Sequence, residues 1–334
     1  MSPASTEQFL LEQYIGHPAS QLQDLRKALY QSVFGCEHLI TDTSAAAEGI
    51  RREAAEAGPC SREIEALDGP WSRVQLGVLA DGLTPETLSR MFARSAAMSH
   101  GDADALQEKL TVLRRLIRSG ALPYSPAEAD AELDDWRKNG FPVCRHSEEY
   151  RAAYRPAYRV LHRTYVRLLP LLAAIDRALA ENPRVLLAIE GGAASGKSTL
   201  ADLLTAIYPD TALFHADDFF LRPEQRTAAR YAQPGGNLDR ERLESEILIP
   251  ISRNKAAVYR PFNCRTLSLR EPVTVLPGRL NIVEGSYSFH PELARYYDLS
   301  VFLDISPETQ RSRILKRNGP EWGQQFFDRW IPLE

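Results

Sequence analysis

Residues Gly191 to Ser198 form a glycine-rich pattern that could bind phosphate. They match GxxxxGK[ST]. Small residues let successive backbone N–H groups turn towards an anion, and the positive end of a following helix points at the same place. In this chemistry Lys197 reaches the β- and γ-phosphates, and Ser198 offers its hydroxyl to Mg²⁺. The candidate nucleotide-binding residues are Gly191, Gly192, Ala193, Ala194, Ser195, Gly196, Lys197, Ser198 and Thr199.

Acidic residues follow two of the apolar runs around this motif. Asp217 and Asp218 come after Phe214, and Glu284 comes after Val283. In an open parallel sheet the carboxyl ends of the strands face the ligand crevice, where a carboxylate can accept a proton from an acceptor hydroxyl. Glu284 is the candidate on the metal side. The alternative is that Asp217 or Asp218 caps the next segment, which suits Asp218 better.

A third group of candidates is the arginine-rich run from Gln310 to Arg317. Arg313 and Arg317 are four residues apart, so they share a helix face. Arginines on a mobile segment can close on a triphosphate and stabilise the transition state. The alternative is a solvated face, which is the commoner use of such a run.

The elements around these residues alternate between strand and helix patterns. A short apolar run leads straight into the glycine-rich motif and a helix pattern leaves it, which separates the motif from an isolated flexible turn. This alternation predicts a parallel α/β sheet. Strands are predicted at Arg184–Ile189, Thr211–Phe214, Leu280–Val283 and Leu299–Leu303, and helices at 197–207, 239–252 and 306–317.

The first half of the chain has mainly helical patterns. Thr84-Pro85 and Ser125-Pro126 are helix starts, and one short run, Val74–Val78, is a candidate strand. A long helix is predicted from Pro156 to Asn182, bent at Pro170. We therefore expect three parts: a mainly helical domain over 1–155, a connecting helix over 156–182 and a phosphate-binding domain over 183–334.

The composition excludes several classes of protein. The chain has 334 residues, 44% of them hydrophobic and 25% charged, with a net charge of −4, which is typical of a globular chain. Neither half is strongly basic, so a nucleic-acid partner is not expected. No apolar run approaches the ~20 residues of a membrane span. With four cysteines and no leader pattern, we expect a reduced, cytoplasmic protein with no membrane partner; its oligomeric state is left open.

Four stretches together resemble the uridine kinase, phosphoribulokinase and pantothenate kinase group of P-loop kinases. They are IEGGAASGKST, HADDFF, NIVEGSYSFHPEL with YYDLSVFLD, and QRSRILKRNG, within residues 183–334. The resemblance is closest to uridine kinase-like proteins. It implies a P-loop NTPase-type parallel sheet flanked by helices, with Mg-ATP at the loop and transfer of the γ-phosphoryl group to a small-molecule hydroxyl. Asp217 would be the general base, Glu284 would lie near the metal, and Arg313 and Arg317 would belong to a lid.

The resemblance also implies acceptor contacts from Pro234–Asn237 and Tyr259–Phe262. The implied acceptor-site residues are His215, Asp217, Phe219, Tyr259, Phe262 and Tyr287. A nucleoside is the favoured acceptor. However, the family's Tyr-Asp-Phe type loop lacks its acid here, since Arg260 and Asn263 stand in that region, which suits a different, anionic acceptor. Pantothenate, a sugar, a glycerate-like acid or an amino-acid hydroxyl are alternatives, as is a nucleotide-dependent regulatory switch.

The end of the sequence is a second departure from that family. Family members continue to a last strand, whereas this sequence stops at Trp330–Glu334. Either the sequence is cut before that strand, or the sheet has four strands, or another segment completes it.

The first half resembles a bacterial domain of unassigned function, so it carries no activity. Cys36 with His38 and Cys144 with His146 form two Cys-x-His pairs. Structural zinc sites usually leave two to four residues between ligands, so separate residues are favoured over a metal site. The tyrosines at near-helical spacing favour packing over a stacking platform; they are Tyr150, Tyr154, Tyr158 and Tyr165. This half could cover the kinase cleft or act as a separate regulatory unit.

Overall fold

The computed structural model describes residues 5–36, 42–58 and 60–333. The chain divides into two compact units, Met1–Ala174 and Ile175–Glu334. One helix, Leu169–Glu181, runs across this division. Within the described ranges, no helix has both the length and the apolar content needed to cross a bilayer.

The first unit consists of helices and one small antiparallel sheet of order β1-β2-β3. Its strands are β1 (Ile64–Ala66), β2 (Trp71–Gln75) and β3 (Tyr158–His162). Its helices are α1 (Thr6–Gly16), α2 (Leu22–Phe34), α3 (Thr43–Ala57), α4 (Pro85–Ala97), α5 (Ala103–Arg118), α6 (Pro126–Lys138), α7 (Glu148–Tyr154) and α8 (Arg163–Val166), and the helix at the division is α9 (Leu169–Glu181).

Helix α5 lies at the centre of the first unit, in contact with α1, α2 and α6. Leu106, Leu110 and Leu113 recur on its buried face, as the helical period requires. They pack in one core with Leu25 and Leu29 of α2. The mainly helical first half is thus confirmed, with the three-stranded sheet added to it.

The prediction of one long helix from Pro156 to Asn182 is wrong. Residues Tyr158–His162 form β3, which pairs antiparallel with β2 so that Val160 lies opposite Arg73. This pairing partner is distant in sequence, so local periodicity could not indicate it. Helix α9 begins at Leu169, which places Pro170 in the first turn, where a missing backbone N–H costs nothing.

The other sequence-based elements of the first unit need smaller corrections. The candidate strand at Val74–Val78 is shifted, because the strand is Trp71–Gln75 and a 3₁₀-helix follows from Leu76 to Asp81. Thr84 caps α4 as predicted, with its side chain accepting a hydrogen bond from the Thr87 amide. Ser125 precedes α6, but its side chain makes no capping hydrogen bond.

The second unit is built on a four-stranded parallel sheet with the order β11-β4-β10-β5. The strands of the whole unit, four of which form this sheet, are β4 (Val185–Gly191), β5 (Thr211–His215), β6 (Ala257–Tyr259), β7 (Phe262–Asn263), β8 (Ser268–Leu269), β9 (Val273–Val275), β10 (Leu280–Glu284) and β11 (Leu299–Leu303). The helices are α10 (Lys197–Ile207), α11 (Ala228–Tyr231), α12 (Arg240–Leu243), α13 (Ile249–Ser252) and α14 (Pro307–Gln325).

Helices pack against this sheet and complete its core. Helix α10 contacts β4, β5 and β10. The helical stretch 240–252 packs Leu243 and Ile247 against the sheet residues Phe214 and Val283. The predicted fold class is therefore confirmed: a P-loop NTPase-type parallel sheet with helices packed on it, preceded by a mainly helical region. The sheet has four strands within the described residues.

Candidate functional site

The glycine-rich loop joins β4, a central strand of the parallel sheet, to α10. Gly191 has a φ of 147°, and a Cβ atom there would lie 2.5 Å from the carbonyl oxygen of Leu303 on the neighbouring strand. Gly196, just before α10, has a φ of 107°. Both positions require glycine, one for close approach and both for a positive φ. The loop is therefore held in one shape by its sequence.

The start of α10 has features expected of an anion-binding end. Its N-cap residue is Gly196, so no N-cap side chain satisfies the backbone amides of the first turn. Thr199 lies exposed on that turn. In the loop itself the hydroxyl of Ser195 is buried and has no hydrogen-bond partner among the described residues. These donors and the helix dipole fit a phosphate group.

Lys197 folds its side chain back over the loop. Its Nζ atom donates to the carbonyl oxygens of Gly191 at 2.7 Å and Gly192 at 2.9 Å, and to Oγ of Ser286 at 3.2 Å. The positive charge is thus placed beside the loop backbone. From this position the amine can exchange carbonyl partners for phosphate oxygens.

Glu284 brings Ser198 and His215 together at the ends of the strands. It is the last residue of β10 and lies level with His215 on β5 and Ile189 on β4. The Oγ of Ser198 donates to its carboxylate at 3.2 Å, and Nδ1 of His215 donates to the same oxygen at 2.6 Å. Only 5% of Glu284 is exposed. A hydroxyl and a carboxylate so close together fit a hard cation such as Mg²⁺.

Asp217 lies in the 3₁₀-turn Ala216–Phe219 that follows β5. Its side chain reaches solvent and receives no hydrogen bond from the described residues. Its pKa is raised, first because the surrounding protein displaces water and then because Glu284 carries a like charge; Lys197 and His215 act in the opposite direction. The result is an accessible carboxylate of increased basicity.

The pKa values of the groups beside Asp217 are also shifted. The pKa of His215 is raised chiefly by its hydrogen bond to Glu284, so the imidazolium form is favoured. The pKa of Asp218 is raised by burial, although His215 and Arg270 oppose that change. Perturbed acids and bases within one crevice are typical of catalytic sites.

Sequence reasoning missed Glu190, which is directly before the loop. Its carboxylate accepts hydrogen bonds from the backbone amides of Gly191, Tyr287 and Phe289, at 2.9, 2.9 and 3.0 Å. One side chain thus ties the beginning of the loop to the segment after β10. The available signal was an acid near the end of a buried strand, immediately before the glycine-rich motif.

The two predicted lid arginines lie on α14 and differ in their contacts. Nη1 of Arg313 donates to the carbonyl oxygen of Ala194 at 3.0 Å, so this residue meets the loop. Arg317 donates instead to Asn318, and its guanidinium lies 5.7 Å from the ring centre of Phe326. Gln310, the first residue of the same run, donates to the carbonyl oxygen of Ala193 at 3.2 Å. Ala193 and Ala194 are thus held by α14.

The predicted acceptor contacts separate into two groups. Phe219, Tyr259 and Phe262 are buried, and the first two rings stack at 5.4 Å, so in this structure they belong to the core. Tyr287 and Pro234 instead line an open cavity of about 310 Å³. Glu190 lies on the wall of the same cavity.

The candidates of the first unit are part of its packing. His38 lies outside the described residues. Cys144 is buried, and its carbonyl oxygen accepts a hydrogen bond from Lys27 at 2.8 Å. Within the described ranges, no group of three metal-ligating side chains is found. Tyr150 stacks on His146 at 4.1 Å, while Tyr158 donates to Nε2 of His146 at 2.6 Å.

The remaining tyrosines of that series are also held by the protein. The hydroxyl of Tyr154 accepts a hydrogen bond from the amide of Ala19 at 2.9 Å, and Tyr165 is buried. The four tyrosines lie on α7, β3 and α8, so they do not share one helix face.

Comparisons with known proteins give a likeness to a solved structure, over part of this chain. No family model matches the chain, and no curated protein matches it. This chain is similar to a solved structure described as a possible uridine kinase from Bacillus stearothermophilus. The similarity covers 48% of this chain and 97% of the chain in that structure. The two are 18% identical, with a TM-score of 0.35. A likeness of this size carries no information about activity or substrate.

Proposed function

We propose that this protein is a uridine kinase-like phosphotransferase, which moves the γ-phosphoryl group of Mg-ATP to a hydroxyl of a nucleoside or similar small metabolite. One observation carries the proposal. The phosphate-binding loop, a lysine, a metal-side carboxylate and an accessible carboxylate all lie at the carboxyl ends of three adjacent parallel strands, β4, β10 and β5. The proposed site belongs wholly to residues 183–334, and residues 1–155 form a separate domain in this proposal.

The accessible carboxylate supports an alcohol as the acceptor. A nucleotide-binding switch needs no base for an organic hydroxyl, whereas Asp217 is exposed, unbonded and of raised pKa. As the hydroxyl oxygen forms its bond to the γ-phosphorus, its proton passes to Asp217. The bond from that phosphorus to the bridging oxygen breaks, and ADP leaves with the electron pair.

The loop and its neighbours stabilise the charge that moves during this transfer. The amides of the first turn of α10 face the phosphates, and Lys197 neutralises charge on the transferred group. Arg313 contacts Ala194 of the loop, and in this proposal it reaches the triphosphate from α14. Ser198 and Glu284 would hold Mg²⁺, which supplies further charge neutralisation when bound.

The test is to replace Asp217 by Asn, which removes the base but keeps its size. ADP release should be measured with Mg-ATP and a panel of acceptors: nucleosides, pantothenate, sugars, glycerate and serine. We expect kcat to fall about 10²- to 10⁴-fold, the usual contribution of a general base. Because Asp217 does not bind the nucleotide in this proposal, ATP affinity should change little.

Asp218→Asn is the matched control, since it changes the neighbouring carboxylate in the same way. Its kcat should fall much less than that of Asp217→Asn, because only Asp217 takes the proton of the acceptor hydroxyl. If Asp217→Asn keeps full turnover, Asp217 is not the base. Slow ATP hydrolysis that no acceptor accelerates would instead favour the regulatory switch.

A further inference from the structure

Two arginines, Arg226 and Arg270, lie in the region of Asp217 and Asp218, and neither forms an ion pair within the described residues. Nε of Arg226 donates to the carbonyl oxygen of Leu221 at 3.0 Å. Three other arginines of the same unit form ion pairs, since such charges are commonly neutralised where they pack. The paired ones are Arg230 with Glu241, Arg240 with Glu292 and Arg242 with Glu246. Arg260 also lacks an acidic partner, but its guanidinium donates to the carbonyl oxygens of Arg270 and Leu269. Arg226 and Arg270 keep side-chain donors for a ligand.

A small hairpin lies against the turn that carries Asp217, and both arginines adjoin it. Strand β7 contacts that turn, and Phe262 on β7 pairs with Leu269 on β8. The guanidinium of Arg226 lies 5.6 Å from the ring centre of Phe262. Arg270 directly follows β8 and is fixed by a bond from its amide to the carbonyl oxygen of Pro261 at 2.8 Å.

The charges of these groups act on one another, as expected for groups sharing a small region. Cys264 lies in the turn between β7 and β8. Burial raises the pKa of its thiol and Asp217 adds to this, whereas Arg226 and Arg270 oppose the change. The hairpin thus presents positive charge next to the proposed base.

The hairpin offers nothing that would hold a sugar diol in place of that charge. From Ala257 to Arg270 the sequence contains no Asp or Glu. The side-chain oxygen of Asn263 is occupied, since it accepts the amides of Arg265 and Thr266 at 2.9 and 3.4 Å. A carboxylate, which commonly binds paired hydroxyls, is therefore missing here.

We propose that the acceptor carries an anionic group, a carboxylate or a phosphate, which Arg226 and Arg270 bind while its hydroxyl faces Asp217. Guanidinium groups suit both anions because their planar N–H donors match two oxygens at once. This inference rests on the proposed phosphotransferase function and, among the small metabolites proposed there as acceptors, favours hydroxy acids or phosphorylated alcohols over neutral nucleosides.

The test separates possible acceptors by charge. A small-molecule cell extract is split on a strong anion exchanger into retained and unretained fractions, and each is given to the full chain with Mg-ATP. Acceptor activity is the ADP release above that of Asp217→Asn. We expect it in the retained fraction. Phosphatase treatment of that fraction then distinguishes a phosphate, whose activity is lost, from a carboxylate, whose activity survives.

Variants connect the charge of the acceptor to the two arginines. Arg226→Gln and Arg270→Gln should each raise the KM for the active fraction by about tenfold or more, with the KM for ATP nearly unchanged. Arg253→Gln, an exposed arginine after α13, is the control and should have no effect. Variants that keep the original KM would overturn the inference.

The remaining outcomes depend on which fraction contains the acceptor activity. Activity in the unretained fraction would overturn the anionic acceptor but leave the kinase proposal standing. No acceptor-dependent ADP release in either fraction would overturn the kinase proposal and, with it, this inference. The two failures are therefore distinguishable.

Discussion

Two aspartates, one in each unit, show how differently the same side chain can be used. Asp24 in the first unit is 3% exposed and accepts hydrogen bonds from His146, from the amide and hydroxyl of Ser147 and from the amide of Gln21. Burial alone would raise its pKa, but these bonds lower it. Asp217 in the second unit is open to solvent, and its pKa is raised.

The difference separates structural from chemical use of a carboxylate. A buried charge is tolerated when its hydrogen-bonding capacity is filled, and it then specifies the packing around it. An accessible carboxylate that receives no bonds from the protein keeps its lone pairs for a substrate. We therefore expect Asp24 to matter for stability and Asp217 for turnover.

The largest expected effect comes from making the same substitution at both positions. Asp24→Asn places an NH₂ group among donors, so the free energy of unfolding should fall by about 3 kcal/mol. Asp217→Asn should leave it within about 0.5 kcal/mol, because the side chain is exposed and unbonded. Urea unfolding followed by tryptophan fluorescence measures both. Equal losses of stability would end the distinction between the two aspartates.

The next effect is the acid sensitivity of the buried network around Asp24. Burial, with help from Arg73 and Lys27, lowers the pKa of His146 to about 4 despite its bond to Asp24. Between pH 6.5 and about pH 4, His146 binds a proton in the unfolded chain but stays neutral in the folded chain. Stability should therefore fall as pH drops through this window, by at most about 3 kcal/mol.

His146→Gln removes the titrating group and should flatten that part of the stability profile. The contribution of Asp24 to the pH dependence of stability falls at lower pH than that of His146, since the pKa of Asp24 lies below 3.8. His100→Gln, at an exposed position, is the control and should keep the original slope. The profile is obtained from urea unfolding at several pH values, and an unchanged slope in His146→Gln would contradict the assignment.

A smaller effect is expected where a fully bonded carboxylate supports the proposed active site. Glu190→Gln replaces one oxygen by an NH₂ group, so it loses either the bonds from the amides of Gly191 and Tyr287 or the bond from the amide of Phe289. The loop should loosen, and the Kd for Mg-ATP should rise about tenfold. Glu292→Gln, which loses only the ion pair with Arg240, should bind Mg-ATP as the unchanged protein does. Equal affinities in both variants would show that Glu190 does not position the loop.

Local patterns were sufficient for much of the second unit. The helix at 197–207 and the strand at Leu299–Leu303 were predicted with the bounds that the structure has. The motif has a strict spacing, and buried parallel strands are short apolar runs, so both are readable from neighbouring residues. Because parallel strands end at the same edge of the sheet, the strand predictions alone place Glu284 and His215 at that edge.

Features that depend on distant partners were not predicted. Strand β3 exists because Val160 pairs with Arg73, and nothing near residue 160 indicates that. The burial of Tyr259 and Phe262 depends on the turn at Phe219. Arg226 and Arg270 are far apart in sequence but adjoin the same β7–β8 hairpin, which packs against the Asp217 turn.

Calorimetric titration of the full chain with Mg-ATP tests the central claim most directly, because every step needs a nucleotide on the loop at Gly191–Ser198. The account predicts a heat of association at a one-to-one ratio, with affinity at least about tenfold weaker in Lys197→Ala. No heat with the unchanged protein, or the same affinity after loss of Lys197, would contradict it.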